Sequence, residues 1–197
     1  MTAQDLKLLR EIGRRRTIQL RGRIKTSRAR SIAEQIRRLG RRSKKPIRLN
    51  IHSRGGDYWA ALVVCDAILE SPVPVYGVAS VAYSSALVIL QVCQLRVGRA
   101  ISSFIAKPAR VPFPPFSVGP YTDEEHVAMM MKELITQALK PHVSDAWKRA
   151  HDILLTRVKK VGKTEQELHK LLAHGGTVLS AREALRWGFL DVVMYSS

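Results

Sequence analysis

Two turns, one at Gly55-Gly56 and one at Ser84-Ser85, most constrain the fold of this chain. Each separates a short apolar run with strand character from a longer one with helix character. The first run, Ile47–Ile51, passes through Ile51-His52-Ser53-Arg54-Gly55-Gly56 into a helix expected over about 58–69, with Leu62, Val63, Cys65 and Ile68 facing inward. The second, 73–79, passes through Ser80-Val81-Ala82-Tyr83-Ser84-Ser85-Ala86 into a helix expected over 84–95. Strand–turn–helix units repeated in this way wind right-handed and build a largely parallel sheet. The fold class expected is therefore α/β, made of βαβ repeats.

The same reading extends in both directions. Residues 16–24 alternate at period two and predict a strand. Ser27 and Ser31 open a basic amphipathic helix with Ile32, Ile36 and Leu39 on its apolar face, which should end at Gly40 as a C′ glycine. Arg96 to Arg99 is expected as a turn before a short strand at 101–106. Five prolines between 108 and 120 rule out a central strand there, because proline donates no ladder hydrogen bond. A protruding helical arm is expected from about 122 to 161, opened by a Thr122/Glu125 capping box and interrupted near Pro141. Thr164 with Glu167, and Ser180 with Glu183, predict two further capped helices, the last ending at Gly188. Trp59, Trp147 and Trp187 read as helix packing.

Composition limits the function classes. The chain has 197 residues, enough for one domain with a full core, and carries a formal net charge of +17. The charge is uneven: residues 1–48 hold 17 Lys/Arg against 3 Asp/Glu, leaving a body near neutrality. That basic quarter, starting with a basic segment at 1–14, can attract a polyanion. It contains no aromatic residue, zinc-finger spacing or RNP-like motif, so specific nucleic-acid recognition has no sequence support. Cys65 and Cys93 lie in apolar surroundings and read as buried thiols of a reducing, cytoplasmic setting. No Cys/His metal spacing is visible, and no metal or cofactor is expected. Residues 71–95 carry no charge and are long enough to span a bilayer, but Pro72, Pro74 and Gly77 break the run, so no membrane partner is expected.

The motifs carry a resemblance. Ile47 to Gly56 resembles the "I-x-L-x-I-N-S-P-G-G" of the Clp protease proteolytic subunits (ClpP-like), a serine peptidase family, with His52 and Arg54 in place of Asn and Pro. Ser80 to Ala86 resembles its "G-x-A-A-S-x-G". Leu179-Ser180-Ala181-x-Glu183-Ala184-x-x-x-Gly188-x-x-Asp191 resembles its C-terminal signature, and residues 16–24 its opening strand. The resemblance implies a ClpP/crotonase-like fold in one domain, assembly into rings, docking of an ATP-dependent unfoldase, and Ser84 as nucleophile. Gly56 and Ser85 would give the oxyanion-hole N–H groups, with Gly55, His52 and Tyr83 lining the substrate cleft.

The same resemblance exposes a loss. The family's histidine falls on Ala106 and its aspartate on Gly176, and neither can take a proton. A serine without a base is a poor nucleophile. The chain is thus expected to be a catalytically impaired structural or regulatory subunit, mixed with an active paralogue. The alternative is an active peptidase with a rebuilt base, Lys107 or His174. A crotonase-like acyl-CoA enzyme and a basic nucleic-acid-binding scaffold are competing classes. The proline-rich 108–120 segment replaces the family's ring-joining strand, so ring size and stacking stay open.

Overall fold

The computed structural model describes residues 3–107, 145–173 and 176–195. The proline-rich loop, the Thr122/Glu125 box, most of the helical arm and His174 fall outside them. Six strands form one sheet in the order β1-β2-β3-β4-β5, with β6 also pairing to β4. The strands are β1 (Thr17–Arg21), β2 (Ile47–Ser53), β3 (Val75–Tyr83), β4 (Leu95–Ala106), β5 (Thr177–Ser180) and β6 (Val192–Met194). β1 through β4 are mutually parallel, β6 runs parallel to β4, and β5 is antiparallel to it. The helices are α1 (Ala3–Glu11), α2 (Thr26–Arg42), α3 (Tyr58–Leu69), α4 (Ser85–Val92), α5 (145–159), α6 (Glu165–Leu172) and α7 (Ala181–Arg186). Among the described residues no helix is long and apolar enough to cross a membrane.

Alternation places the core. β1 buries Ile18 and Leu20 and exposes Gln19 and Arg21, while β2 buries Ile47, Leu49 and Ile51. These residues pack with the apolar faces of α2, α3 and α4 and with Leu154 and Val158 of α5. β3 contributes Val75 and Ala79 to that cluster, but Tyr76 and Val78 to a second one with Leu95, Val97 and Leu9 of α1. A strand covered on both faces needs no polar alternation, which explains the charge-free run at 71–95. α1, which no local signal announces, turns the first residues into a cover for the second face.

Three expectations need correction. Gly40 does not end α2. It lies buried inside the helix, where an added Cβ would come 3.0 Å from Pro72 Cδ. Its role is close packing. Residues 96–99 are not a turn but part of β4. The β3–β4 register jumps from Ala79↔Gly98 to Val81↔Ser103, so residues 99–102 bulge outward from a continuous strand. Ser102 Oγ pins the bulge, accepting from Arg99 N and donating to Ala79 O, both at 2.8 Å. Trp59 is 46% exposed and packs far less than expected.

β4 also closes the chain on itself. The Arg96 guanidinium is almost buried, pairs with Asp191, and donates to Gln91 Oε1 at 3.1 Å and Gly188 O at 2.7 Å. The Ser180–Glu183 and Thr164–Glu167 capping boxes both form. The residues of the C-terminal signature are thus a cap, Ser180–Glu183, and an ion-pair partner, Asp191.

Candidate active site

The carboxyl ends of β2 and β3 meet at the two turns, the place where ligands sit in open parallel sheets. β2 ends in Ser53, whose Oγ donates to Gly22 O (2.6 Å) and accepts from Gly55 N (3.0 Å). Residues 22–24 strap this turn: Ile24 N donates to Gly55 O, and Asp57 N to Ile24 O. Asp57 then caps α3, accepting from Trp59 N and Ala60 N. Gly55 has φ +87°, and a Cβ there would stand 2.6 Å from Tyr83 O and 3.0 Å from Ser84 Cβ. The two turns pack so closely that only glycine fits between them.

Ser84 is the single non-glycine residue with positive φ among the described residues, at φ 54° and ψ −125°. Such a conformation costs about 1–3 kcal/mol and must be held by its surroundings. Here Ser84 N donates to Ile105 O at 2.8 Å, and Ser84 O accepts from Leu87 N. A serine on a sharp strand-to-helix turn is the arrangement that lifts a nucleophile into a site.

The hydroxyl has an unforeseen partner. Tyr58, the first residue of α3, places its Oη 3.1 Å from Ser84 Oγ and 3.1 Å from Lys107 O. A carbonyl only accepts, and a phenol has one proton. With that proton on Lys107 O, Ser84 must donate to Tyr58 Oη. Burial pushes the Tyr58 phenol above its ordinary pKa, against a smaller opposite effect of Ser84. The phenol stays neutral, and a neutral phenol oxygen is no base. Serine spacing alone could not reveal this contact; the one local cue is that Tyr58 opens the helix expected after the glycine turn.

The positions expected to hold histidine and aspartate lie side by side. Ala106 is fully buried, and a Cβ on Gly176 would overlap Ala106 O and Lys107 Cγ. Gly176 has φ +97°, so any side chain there is strained as well as crowded. Lys107 is exposed and reaches Tyr58 by its backbone carbonyl. Ser85 is buried, and its Oγ accepts from Gly56 N at 3.0 Å and donates to Gly56 O at 3.2 Å. The backbone donor expected to face an oxyanion is thus engaged by a neighbouring hydroxyl.

Beside the turns lies a cleft of about 740 Å³, lined by His52, Arg54, Gly55, Gly56, Val81 and Tyr83 among others. Tyr83 Oη sits 2.9 Å from Ser103 Oγ, and His52 Nδ1 sits 2.9 Å from Ser80 Oγ. His52 also borders a second hollow of about 340 Å³ on the sheet, where Arg21, Arg48 and Arg99 converge. Burial, and then the charge of Arg99, hold Arg48 below its ordinary pKa. The structure therefore brings together Ser84, Ser85, Gly55, Gly56, Tyr83 and His52, with Lys107 at the margin.

Comparison with known proteins agrees with this geometry. Among solved structures, a mutant form of ClpP1 from Listeria monocytogenes superimposes with a TM-score of 0.67 at 18% identity, covering 98% of this chain and 96% of that one. At such identity the likeness speaks for the fold. No curated protein matches the chain in sequence. The family model for Clp protease matches residues 2–103, the stretch that holds both turns and Ser84. The chain belongs to the Clp protease family.

Proposed function

We propose that this chain is a catalytically impaired subunit of a Clp-type protease, working in a ring with itself or with an active paralogue, beneath an ATP-dependent unfoldase in the cytoplasm. One observation carries the reading: the Ser84 hydroxyl contacts a neutral phenol where a serine peptidase needs a base. Loss of one triad member already lowers turnover by orders of magnitude, leaving binding and the oxyanion hole. Here Ala106 and Gly176 remove two, and Ser85 occupies the Gly56 donor. The two free cysteines are buried, which suits a reducing compartment.

The strained Ser84 turn supports a second reading, an active endopeptidase with a base from Lys107, His174 or a neighbouring subunit. A fluorophosphonate serine-hydrolase probe separates the two. The folded, oligomeric protein should remain unlabelled, like a Ser84→Ala control. Labelling that depends on Ser84 would overturn the impaired-subunit reading. Attraction of polyanions by the basic quarter is a separate property, favoured by the Arg21–Arg48–Arg99 hollow. DNA affinity that falls steeply with salt, and does so less after neutralising Arg14 to Arg16, would support it.

A further inference from the structure

We propose that His151, Glu165 and His169 form a divalent metal site, of zinc type, that clamps α5 to α6. No spacing in the sequence announces it, because one ligand comes from α5 and two from α6. Glu165 and His169 lie four residues apart and so share one face of α6. The Thr164–Glu167 capping box fixes the start of that helix and with it the position of Glu165. His151 comes from the buried side of α5, held there by Leu154 and Val158 in the core and by the Trp147 ring at 5.6 Å.

The ligand atoms converge. His151 Nε2 and His169 Nε2 are 3.1 Å apart, and Glu165 Oε1 is 3.8 Å from the first and 3.9 Å from the second. A point about 2.1 Å from all three atoms lies between them, the length of a zinc–nitrogen or zinc–carboxylate bond. Two imidazoles and one carboxylate are a zinc donor set that leaves a further position for water or another side chain. Glu165 and His169 are about half exposed, so that position faces solvent. Behind the first histidine, Asp152 Oδ1 stands 3.8 Å from His151 Nδ1. A carboxylate on that side favours the tautomer with its proton on Nδ1, which frees Nε2 for the metal. Without an ion the two imidazoles can share one N–H···N bond, and a metal replaces that proton.

The site shares no residue with the Ser84 turn, so it does not depend on the catalytic reading. The test is calorimetric titration of zinc chloride into tag-free, chelator-stripped full-length protein. Saturable binding of one ion per chain is expected, with a rise in melting temperature. His169→Ala and Glu165→Gln, both at exposed positions, should fold normally by circular dichroism. They should bind about a hundredfold more weakly, and Asp152→Asn about tenfold more weakly. Cobalt should give the visible absorption of a low-symmetry nitrogen–oxygen site in the wild type and lose it in His169→Ala. Absence of saturable binding in the wild type, or undiminished binding by His169→Ala, would overturn the proposal.

Discussion

The Ser84 turn and the Ala106–Gly176 pair adjoin through the Ser84 N–Ile105 O bond, yet they hold their residues on different terms. Around Ser84 the backbone is strained, glycines abut backbone oxygens, and an interlaced set of hydrogen bonds keeps the geometry. Ala106 itself is a buried methyl group on a regular ladder, although Gly176 beside it also keeps a positive φ. The contrast teaches that scaffold and proton chemistry are separable. A strained turn is maintained by packing, whereas a base requires only that one particular side chain be present.

The sharpest test of this contrast is Gly56→Ala. Its Cβ would overlap the Ile24 backbone, so a loss of about 3–5 kcal/mol is expected from strain and overpacking together. Urea unfolding would measure it, and a loss under about 1 kcal/mol would show that the turn is not rigid. Next comes the strain at Ser84 itself. Ser84→Gly should be more stable than Ser84→Ala by about 1–2 kcal/mol, since both lose the hydroxyl and only glycine relieves the positive φ. Equal stability of the two would remove the argument for stored strain. Tyr58→Phe breaks the link between the two halves and should cost about 1 kcal/mol while leaving Ser84 unreactive to the fluorophosphonate probe. Labelling that appears only in Tyr58→Phe would mean the phenol restrains a serine with access to another base.

The smallest effect lies away from the site and calibrates the others. Lys163 first, then Thr164, hold the Glu167 carboxylate down to a pKa of about 2. A depressed carboxylate adds stability above its unfolded pKa of about 4.3, which is lost as pH falls toward the folded value. Melting curves from neutral pH down to pH ~2 should show that loss in the wild type and a flatter profile in Glu167→Gln. The thiols offer a further check. Burial drives Cys93 up to about 12 and Cys65 higher than its ordinary value. Neither should react with iodoacetamide at neutral pH until the chain unfolds.

Much of the scaffold was legible because its signals are local. The Gly55-Gly56 turn and the apolar run behind it mark α3, and the two capping boxes mark α6 and α7 where they occur. What escaped depends on partners distant in sequence. Gly40 looks like a helix stop until Pro72 is seen against it, and residues 96–99 look like a turn until β3 is seen paired with them. α1 is short and polar overall, and only the sheet face it covers makes sense of Leu9. In the site, the motifs put Ser84 and the glycines on two turns, while Ala106 and Gly176 were singled out only by what the family resemblance implies. Tyr58 and the Ser85–Gly56 bond became visible only when α3 and α4 were placed side by side.

The pairing of Arg96 with Asp191 bears on how the chain can be divided. The family match ends at residue 103, as though the first half were a module. Cut there, the chain would keep the Arg96 cation in its buried position and discard the carboxylate and the Gly188 carbonyl that satisfy it. An uncompensated buried charge of that kind costs roughly 3–5 kcal/mol, a large share of the stability of any domain. The second half would in turn lose Val97 to Arg99 of β4, the residues on which β6 aligns. Fragments of this protein should therefore fold only when both are present, a dependence that fragment complementation would display.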